Sequence, residues 1–171
     1  MTATPFDWLE ASYFYYRPED LYGFGKIGRY LDKGFNVKFI YRPKNFKIPN
    51  IAVGLDDFAG TGYFTREYLV STMIFDKSKI SLGIGWGKYA GDKSFKNPLS
   101  SVSSSFINRP LFSDNYKLGG SPSYDQWFKG EAAIFGGIEH SISKSNALKL
   151  KLEYDPYNYF DFSGNYRNDA S

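Results

Sequence analysis

The sequence predicts an all-β chain folded as an antiparallel meander, and three observations support this prediction. Within residues 147–154, apolar and charged side chains alternate with the two-residue period of a strand. Aromatic residues, which strands favour, make up 20% of the chain. Short segments rich in Gly, Pro, Asn, Asp and Ser separate the alternating runs, as turns do. One face of such a meander must contact either a protein core or a lipid bilayer.

Four strands are predicted in the first half of the chain. Residues 8–16 carry aromatic side chains on both faces, whereas residues 20–34 are ambiguous. Residues 35–42 and 50–58 both alternate between an apolar and a more polar face. In residues 63–75 the pattern groups Phe64, Arg66, Tyr68, Val70 and Ile74 on one face and directs Glu67 to the other.

Three further strands are predicted in the second half. Residues 80–89 place Ile80, Leu82, Ile84 and Trp86 opposite Ser81 and three glycines, which would allow close packing or sheet bending. Residues 132–142 and 147–154 complete a count of seven or eight strands. Residues 91–131 lack periodicity, and a connection of this length is usually functional or disordered. The whole chain, residues 1–171, is interpreted as one partial domain.

The predicted connections differ between the two ends of the strands. Segments 43–49, 76–79 and 143–146 are short and polar and would lie at one end. The tight turn at 59–62 and the long segment 91–131 would lie at the other. Bacterial outer-membrane barrels have short turns on one side and longer loops on the other. A soluble β-sandwich that binds glycans or a partner protein is the alternative, because a half-buried antiparallel sheet has the same alternation.

Composition excludes several classes of function. The formal net charge is only +3 and no dense Lys/Arg run is present, so nucleic acid is not a predicted partner. The absence of cysteine excludes disulfides, thiolate metal sites and a cysteine nucleophile. With one histidine, and no acid spacing that selects a catalytic pair, we predict no metal, no cofactor and no enzymatic activity. No run approaches the about 20 apolar residues of a membrane helix.

Short motifs that occur in one order along residues 30–160 carry a family resemblance. They are Asp32–Phe35, Ile51–Gly62, Glu67–Val70, Gly83–Gly87, Phe95–Ser100, Trp127–Gly130, Phe135–Glu139 and Leu150–Asp155. This ordered series resembles the YjbH-like exopolysaccharide biosynthesis family, whose members include capsule-associated proteins of Gram-negative bacteria. The resemblance implies a non-catalytic outer-membrane β-barrel, located in the cell outer membrane and involved in polysaccharide production or secretion. Its implied partners are polysaccharide, outer-membrane lipid and other exopolysaccharide-secretion proteins.

Two features differ from that family. Its members are several times longer and begin with an export signal, whereas residues 1–9 have neither the basic nor the apolar part of one. The chain also ends in Asn168-Asp169-Ala170-Ser171 instead of in an aromatic-terminated strand. We therefore interpret the chain as an internal piece of a larger transmembrane β-barrel, or as a split or truncated reading frame.

Residues that could contact a glycan or line a lumen form the first group of candidates. Charged side chains opposite an apolar strand face could pair or hydrogen-bond with an acidic or neutral glycan, although the same residues would also suit a solvated sheet face. An aromatic residue in the long loop suits saccharide stacking. These candidates are Glu67, Lys88, Trp127, Lys149, Lys151 and Glu153.

A second group of residues is assigned structural roles. Asp56 and Asp57 would point to opposite faces of a strand and order the following turn, instead of forming a catalytic pair. Gly60 and Gly62 would form that turn. Trp86 is expected to be an outward anchor at a membrane interface more than a platform for sugar.

Overall fold

A single antiparallel sheet organises the chain. The computed structural model describes residues 1–16, 32–45, 47–60, 65–91, 93–110, 120–142 and 148–157. Eight strands lie within these residues, and each pairs with the next in sequence. Their bounds are β1 Thr2–Phe6, β2 Leu9–Tyr16, β3 Asp32–Tyr41, β4 Asn50–Asp56, β5 Arg66–Ile74, β6 Ser78–Gly87, β7 Ala132–Ser141 and β8 Lys149–Tyr154. The predicted all-β antiparallel meander is confirmed, and in the described residues the sheet is not closed between β1 and β8.

Strand β1 is the one strand that the alternation did not predict. Its sequence, Thr-Ala-Thr-Pro-Phe, is short and contains Pro5, which cannot donate to a ladder and therefore fits an edge strand. Its register with β2 shifts between Ala3 and Phe6. Of the ambiguous segment 20–34, residues 32–34 begin β3, and residues 17–31 lie outside the described part of the chain.

One face of the sheet, here called the apolar face, carries aliphatic and aromatic side chains from β2 to β8. Many of them are exposed, including Leu82 at 62% and Leu152 at 69%. Within the described residues the buried hydrophobic side chains are only Ala59, Trp86, Ala132 and Ala133. The described sheet therefore has almost no hydrophobic core of its own. Exposed members of the apolar face are Tyr13, Tyr15, Phe35, Phe39, Tyr41, Leu69, Ile80, Leu82, Ile134, Ile138, Leu150, Leu152 and Tyr154.

The opposite face, here called the polar face, carries most of the charged side chains of the strands. Cross-strand pairs link them: Lys38 donates to Glu10 across β2 and β3 at 2.7 Å, and the Thr72 and Ser81 hydroxyls are 2.9 Å apart across β5 and β6. Polar side chains on this side of the sheet therefore pair across neighbouring strands.

The faces of β5 are the reverse of the prediction. Arg66, Tyr68 and Val70 lie on the polar face, opposite Gly87, Gly85 and Gly83 of β6. Glu67 and Leu69 lie on the apolar face. Apolar residues occur at both phases of this strand, so the alternation alone could not decide between them.

The meander sends alternate connections to opposite ends of the sheet, as predicted. Residues 7–8, 42–49, 75–77 and 142–148 connect strands at what we call the short-turn end. Residues 57–65 and 88–131 connect them at the long-loop end.

The described part of the long connection folds back onto the sheet. It contains two short 3-10 helices, Pro98–Ser101 and Ser104–Phe106, and Phe95 forms a bridge with Ala132 at the start of β7. Among the described residues, no helix has the length and apolar character needed to cross a bilayer.

Candidate functional site on the polar face

An aromatic cluster lies on the polar face, toward the long-loop end of β5, β6 and β7. The Tyr89 ring stacks on Phe135 with centroids 5.0 Å apart, and the edge of Tyr68 meets both rings at 6.0 and 6.2 Å. Glycines of β6 make room for these rings: a Cβ at Gly83 would lie 2.4 Å from Phe135, and one at Gly85 would lie 2.5 Å from Tyr89. The role predicted for the glycines, close packing, is therefore confirmed.

Arg66 fixes the other side of the cluster. Its guanidinium donates to Asp56 at 2.8 Å and lies 4.9 Å from the centroid of the Tyr89 ring. Burial raises the pKa of the Tyr89 phenol, and the Arg66 charge opposes that rise only in part. Tyr89 is therefore a neutral phenol at physiological pH, held between Arg66 and Phe135.

A groove of about 280 Å³ opens beside this cluster, between β6, β7 and β8. Ser81 and Gly137 pair across β6 and β7 and form its floor, because both are small. Phe135 and Tyr89 form an aromatic wall at one side. The remaining polar lining comes from Lys79, Glu139, Lys151, Glu153 and Asp155.

Three predicted glycan-contacting residues lie at this groove or beside it. Lys149 donates to Glu139 at 2.8 Å, and Lys151 lies 3.4 Å from the same carboxylate. Glu153 pairs with Gly137 in the ladder between β7 and β8. The structure thus brings Lys149, Lys151 and Glu153 together on one face, and their contact with a glycan remains a prediction.

Glu67, in contrast, is not part of the polar face. Its side chain is fully buried beneath the long loop on the apolar face, where both carboxylate oxygens accept from Arg109 at 2.6 and 2.9 Å. The Phe128 N–H donates to it at 3.0 Å, and Arg109 also donates to the carbonyl of Gln126 at 2.9 Å. The prediction that Glu67 lines a lumen is corrected: it anchors the loop to the sheet.

Trp86 has a similar anchoring position. It lies on the apolar face as expected, but it is only 4% exposed, because Asn97 and Phe128 of the loop cover it. Its indole N–H donates to Asn97 at 3.0 Å. An exposed interfacial anchor is therefore the wrong description of Trp86.

Trp127 and Lys88 lie at the long-loop end and are not among the residues that line the groove. The half-buried Trp127 ring contacts Tyr124 at 4.8 Å and Phe58 at 6.5 Å, and its buried indole N–H has no hydrogen-bond partner within the described residues. Lys88 follows β6 directly, and its backbone N–H donates to Thr65 at 3.2 Å. Neither residue joins the cluster formed by Lys149, Lys151 and Glu153.

The turn after β4 contains the remaining predicted residues. Asp56 faces Arg66, whereas Asp57 adopts a left-handed φ of 54° and its N–H donates to the Asn36 side chain at 2.9 Å. A Cβ at Gly60 would lie 1.8 Å from the Asp57 carboxylate, so this turn needs glycine. Gly62 lies outside the described residues.

Sequence reasoning missed Tyr89 and Phe135 as members of one site. The signal was available in part, because glycines at alternate positions of β6 indicate that neighbouring side chains occupy the space above them. Which rings occupy that space depends on the register with β7 and on the turn after β6. In the described residues, no group of three or more His, Cys, Asp or Glu side chains could hold a metal ion.

Comparison with known proteins gives one family and one curated relative. Residues 1–169 match the family YjbH, described as exopolysaccharide biosynthesis protein YbjH. A relative from Escherichia coli (strain K12), named uncharacterized lipoprotein YjbH, is 39% identical over 136 residues, which are 79% of this chain and 19% of the relative. The chain therefore spans about a fifth of the length of that relative. No solved structure matches the chain.

Proposed function

We propose, from the premise that this chain belongs to the YjbH exopolysaccharide biosynthesis family, that its sheet is part of the wall of an outer-membrane β-barrel. The apolar face contacts lipid and the polar face contacts exopolysaccharide during its assembly or export. The chain acts by passage or docking of the polymer, without bond chemistry. Because the chain spans about a fifth of its relative, further strands of a longer polypeptide complete the barrel.

The observation that carries this proposal is the contrast between the two faces. Large apolar side chains are 40–69% exposed on one face in six of the seven strands β2 to β8, while polar side chains pair with one another on the other face. Soluble monomers rarely expose a contiguous apolar surface of this kind, and an outward apolar band is what a transmembrane barrel requires.

Strand length and the position of aromatic residues give further support. Strands β3, β5, β6 and β7 have 9 or 10 residues, and a tilted transmembrane strand needs about 9–11. Tyr41 lies near the short-turn end of the apolar face and Tyr15 near the long-loop end. Aromatic residues at both ends of an apolar band are typical of membrane interfaces. The relative's name, lipoprotein, supports a location in the cell envelope.

Spin labels on neighbouring residues test the proposal. In the full-length protein in bilayers, we would place single cysteines at Ser81 or Lys151 on the polar face and at Leu82 or Leu152 on the apolar face. These 171 residues contain no cysteine, and any cysteine in the rest of the full-length protein would first be replaced by serine. Labels on the apolar face should be accessible to oxygen, which concentrates in lipid. Labels on the polar face should be accessible to a water-soluble nickel chelate.

The soluble β-sandwich alternative gives a different result. A second sheet packed on the apolar face would protect labels at Leu82 and Leu152 from both reagents. Equal accessibility of Leu82 and Ser81 to the nickel chelate would also contradict the barrel proposal, because it would place both faces in water.

A further inference from the structure

The groove on the polar face is formed by small residues at its floor and larger residues along its sides. Its floor consists of Ser81 and Gly137, which pair in register, while the rows on both sides carry longer side chains. A Cβ at Gly137 would lie 3.0 Å from the Leu152 carbonyl and 3.2 Å from Glu153, so a larger residue is not easily accommodated there. The volume of about 280 Å³ is close to the lower limit of small-ligand pockets, about 300 Å³.

The aromatic wall of the groove is held in place before any ligand arrives. Phe135 stacks on Tyr89 and meets the edge of Tyr68, and Tyr89 is held by Arg66 on its other side. These contacts restrict the Phe135 rotamer, so a ligand that packs against this ring does not have to order it. The C–H face of a pyranose ring is a ligand that suits such a wall.

The charges of the groove select the kind of saccharide. Two ammonium groups, Lys79 and Lys151, line it together with three carboxylates, Glu139, Glu153 and Asp155. Lys151 also lies 3.4 Å from Glu139. Lys149 donates to Glu139 at 2.8 Å from beside the groove, so three ammonium groups balance three carboxylates there. A polyanion would therefore meet no net attraction, whereas sugar hydroxyls both donate and accept and can use both kinds of group.

We propose that this groove binds an uncharged saccharide segment, with Phe135 as the stacking surface and Lys79, Lys151 and Glu153 as hydrogen-bonding groups. This inference rests on the proposed function, which brings the polar face into contact with exopolysaccharide. It goes further, because it names one subsite and assigns it to neutral sugar units instead of acidic ones.

Saturation-transfer NMR on the full-length protein tests the inference. The protein should be extracted in a detergent without a sugar headgroup, because maltosides and glucosides would compete for the groove. The probes are neutral hexasaccharides of glucose, galactose and mannose, and a hexamer of galacturonate. We expect saturation transfer to at least one neutral probe and weaker or no transfer to galacturonate.

Two variants locate the binding at the groove. Ser81→Phe fills the floor and should weaken binding of the neutral probe at least tenfold. Glu153→Ala removes one hydrogen-bonding group from an exposed position and should weaken binding about fivefold. Leu82→Phe adds the same aromatic ring one residue away on the apolar face and should leave the affinity unchanged. If Ser81→Phe does not assemble, the affinities of Glu153→Ala and Leu82→Phe for the neutral probe still show whether the groove binds it.

Three results would overturn the groove inference: no transfer to any neutral probe, tighter binding of galacturonate, or equal affinity in Glu153→Ala and Leu82→Phe. The spin-label experiment is independent of all three. Alternating accessibility without saccharide binding would leave the barrel proposal standing and remove the subsite. Saccharide binding at the groove, in a sheet whose apolar face does not contact lipid, would keep the subsite and remove the barrel proposal.

Discussion

Glu67 and Arg109 form an ion pair from which water is almost excluded. The carboxylate is fully buried and the guanidinium side chain is 15% exposed. Two charges in such a place stabilise each other, and losing one leaves the other buried without its counter-ion. The pair joins β5 to the long loop, so its integrity decides whether the loop stays on the sheet.

Removing one member of this pair should destabilise the protein strongly. We expect Glu67→Met or Arg109→Met to lower the free energy of unfolding by about 3–5 kcal/mol, as measured by urea titration. The double variant should lose much less than the sum of the two, because no uncompensated charge remains. Lys38→Met, which breaks the half-exposed pair with Glu10, is the control and should cost about 0–1 kcal/mol. Additive effects of the two methionine variants would contradict the assignment.

Gly54 is the residue at which the polar face tolerates a side chain least. A Cβ there would lie 2.1 Å from the Tyr68 ring, which covers the glycine across β4 and β5. We expect Gly54→Ala to destabilise the protein by about 1–3 kcal/mol, the usual cost of overpacking, when thermal unfolding is followed by circular dichroism.

The control is to make Gly54→Ala in a protein that already carries Tyr68→Ala, in which the overlapping ring is absent. There the same glycine substitution should be neutral or slightly stabilising, because alanine reduces the freedom of the unfolded chain. Equal destabilisation in both backgrounds would mean that the backbone conformation at Gly54, and not the Tyr68 ring, requires glycine.

At the scale of the elements, strands with one consistent apolar phase could be predicted from sequence and β5 could not. Leu148, Leu150 and Leu152 occur at alternate positions, so only one face of that strand can be the apolar one. In β5, Tyr68 and Leu69 are both hydrophobic, and a charge occurs at each phase. The choice is made by partners distant in sequence, since Arg66 pairs with Asp56 and Glu67 with Arg109. No local pattern contains that information.

The same reason explains which part of the candidate site was predictable. Lys149, Lys151 and Glu153 follow from alternation within one strand. The wall formed by Tyr89 and Phe135 depends on a turn and on the register between β6 and β7. The long loop appeared structureless in sequence because its order comes from side chains, above all Asn97, instead of from backbone periodicity.

Asn97 should therefore control the order of the long loop. It accepts from the Trp86 indole and the Leu99 N–H, and it donates to the carbonyls of Phe106 and Phe128. We expect Asn97→Ala to make residues 93–110 cleavable by limited proteolysis while the strands remain protected. Asn97→Asp, which keeps the acceptor oxygens and loses the donors, should give an intermediate cleavage rate. Resistance of both variants to cleavage would show that the loop is ordered by other contacts, such as Arg109.

At the scale of the whole molecule, the sheet has two inequivalent ends and two inequivalent faces. The two faces determine which environments the sheet contacts. The two ends determine which way the strands of the proposed barrel point across the membrane. An antiparallel meander fixes this direction for all strands at once, because every second connection must lie on the same side. One exposed residue at each end is therefore enough to determine the orientation of the described sheet.

The orientation of the sheet is the last prediction. Outer-membrane barrels place short turns in the periplasm and longer loops outside the cell. In the full-length protein without other reactive thiols, Val102→Cys, at an 80% exposed position of the long loop, should react with a membrane-impermeant maleimide on intact cells. Asp76→Cys, in the exposed turn between β5 and β6, should react only after the outer membrane is permeabilised. Equal labelling of both thiols on intact cells would contradict a membrane-spanning sheet, whereas labelling of Asp76→Cys alone would reverse its direction.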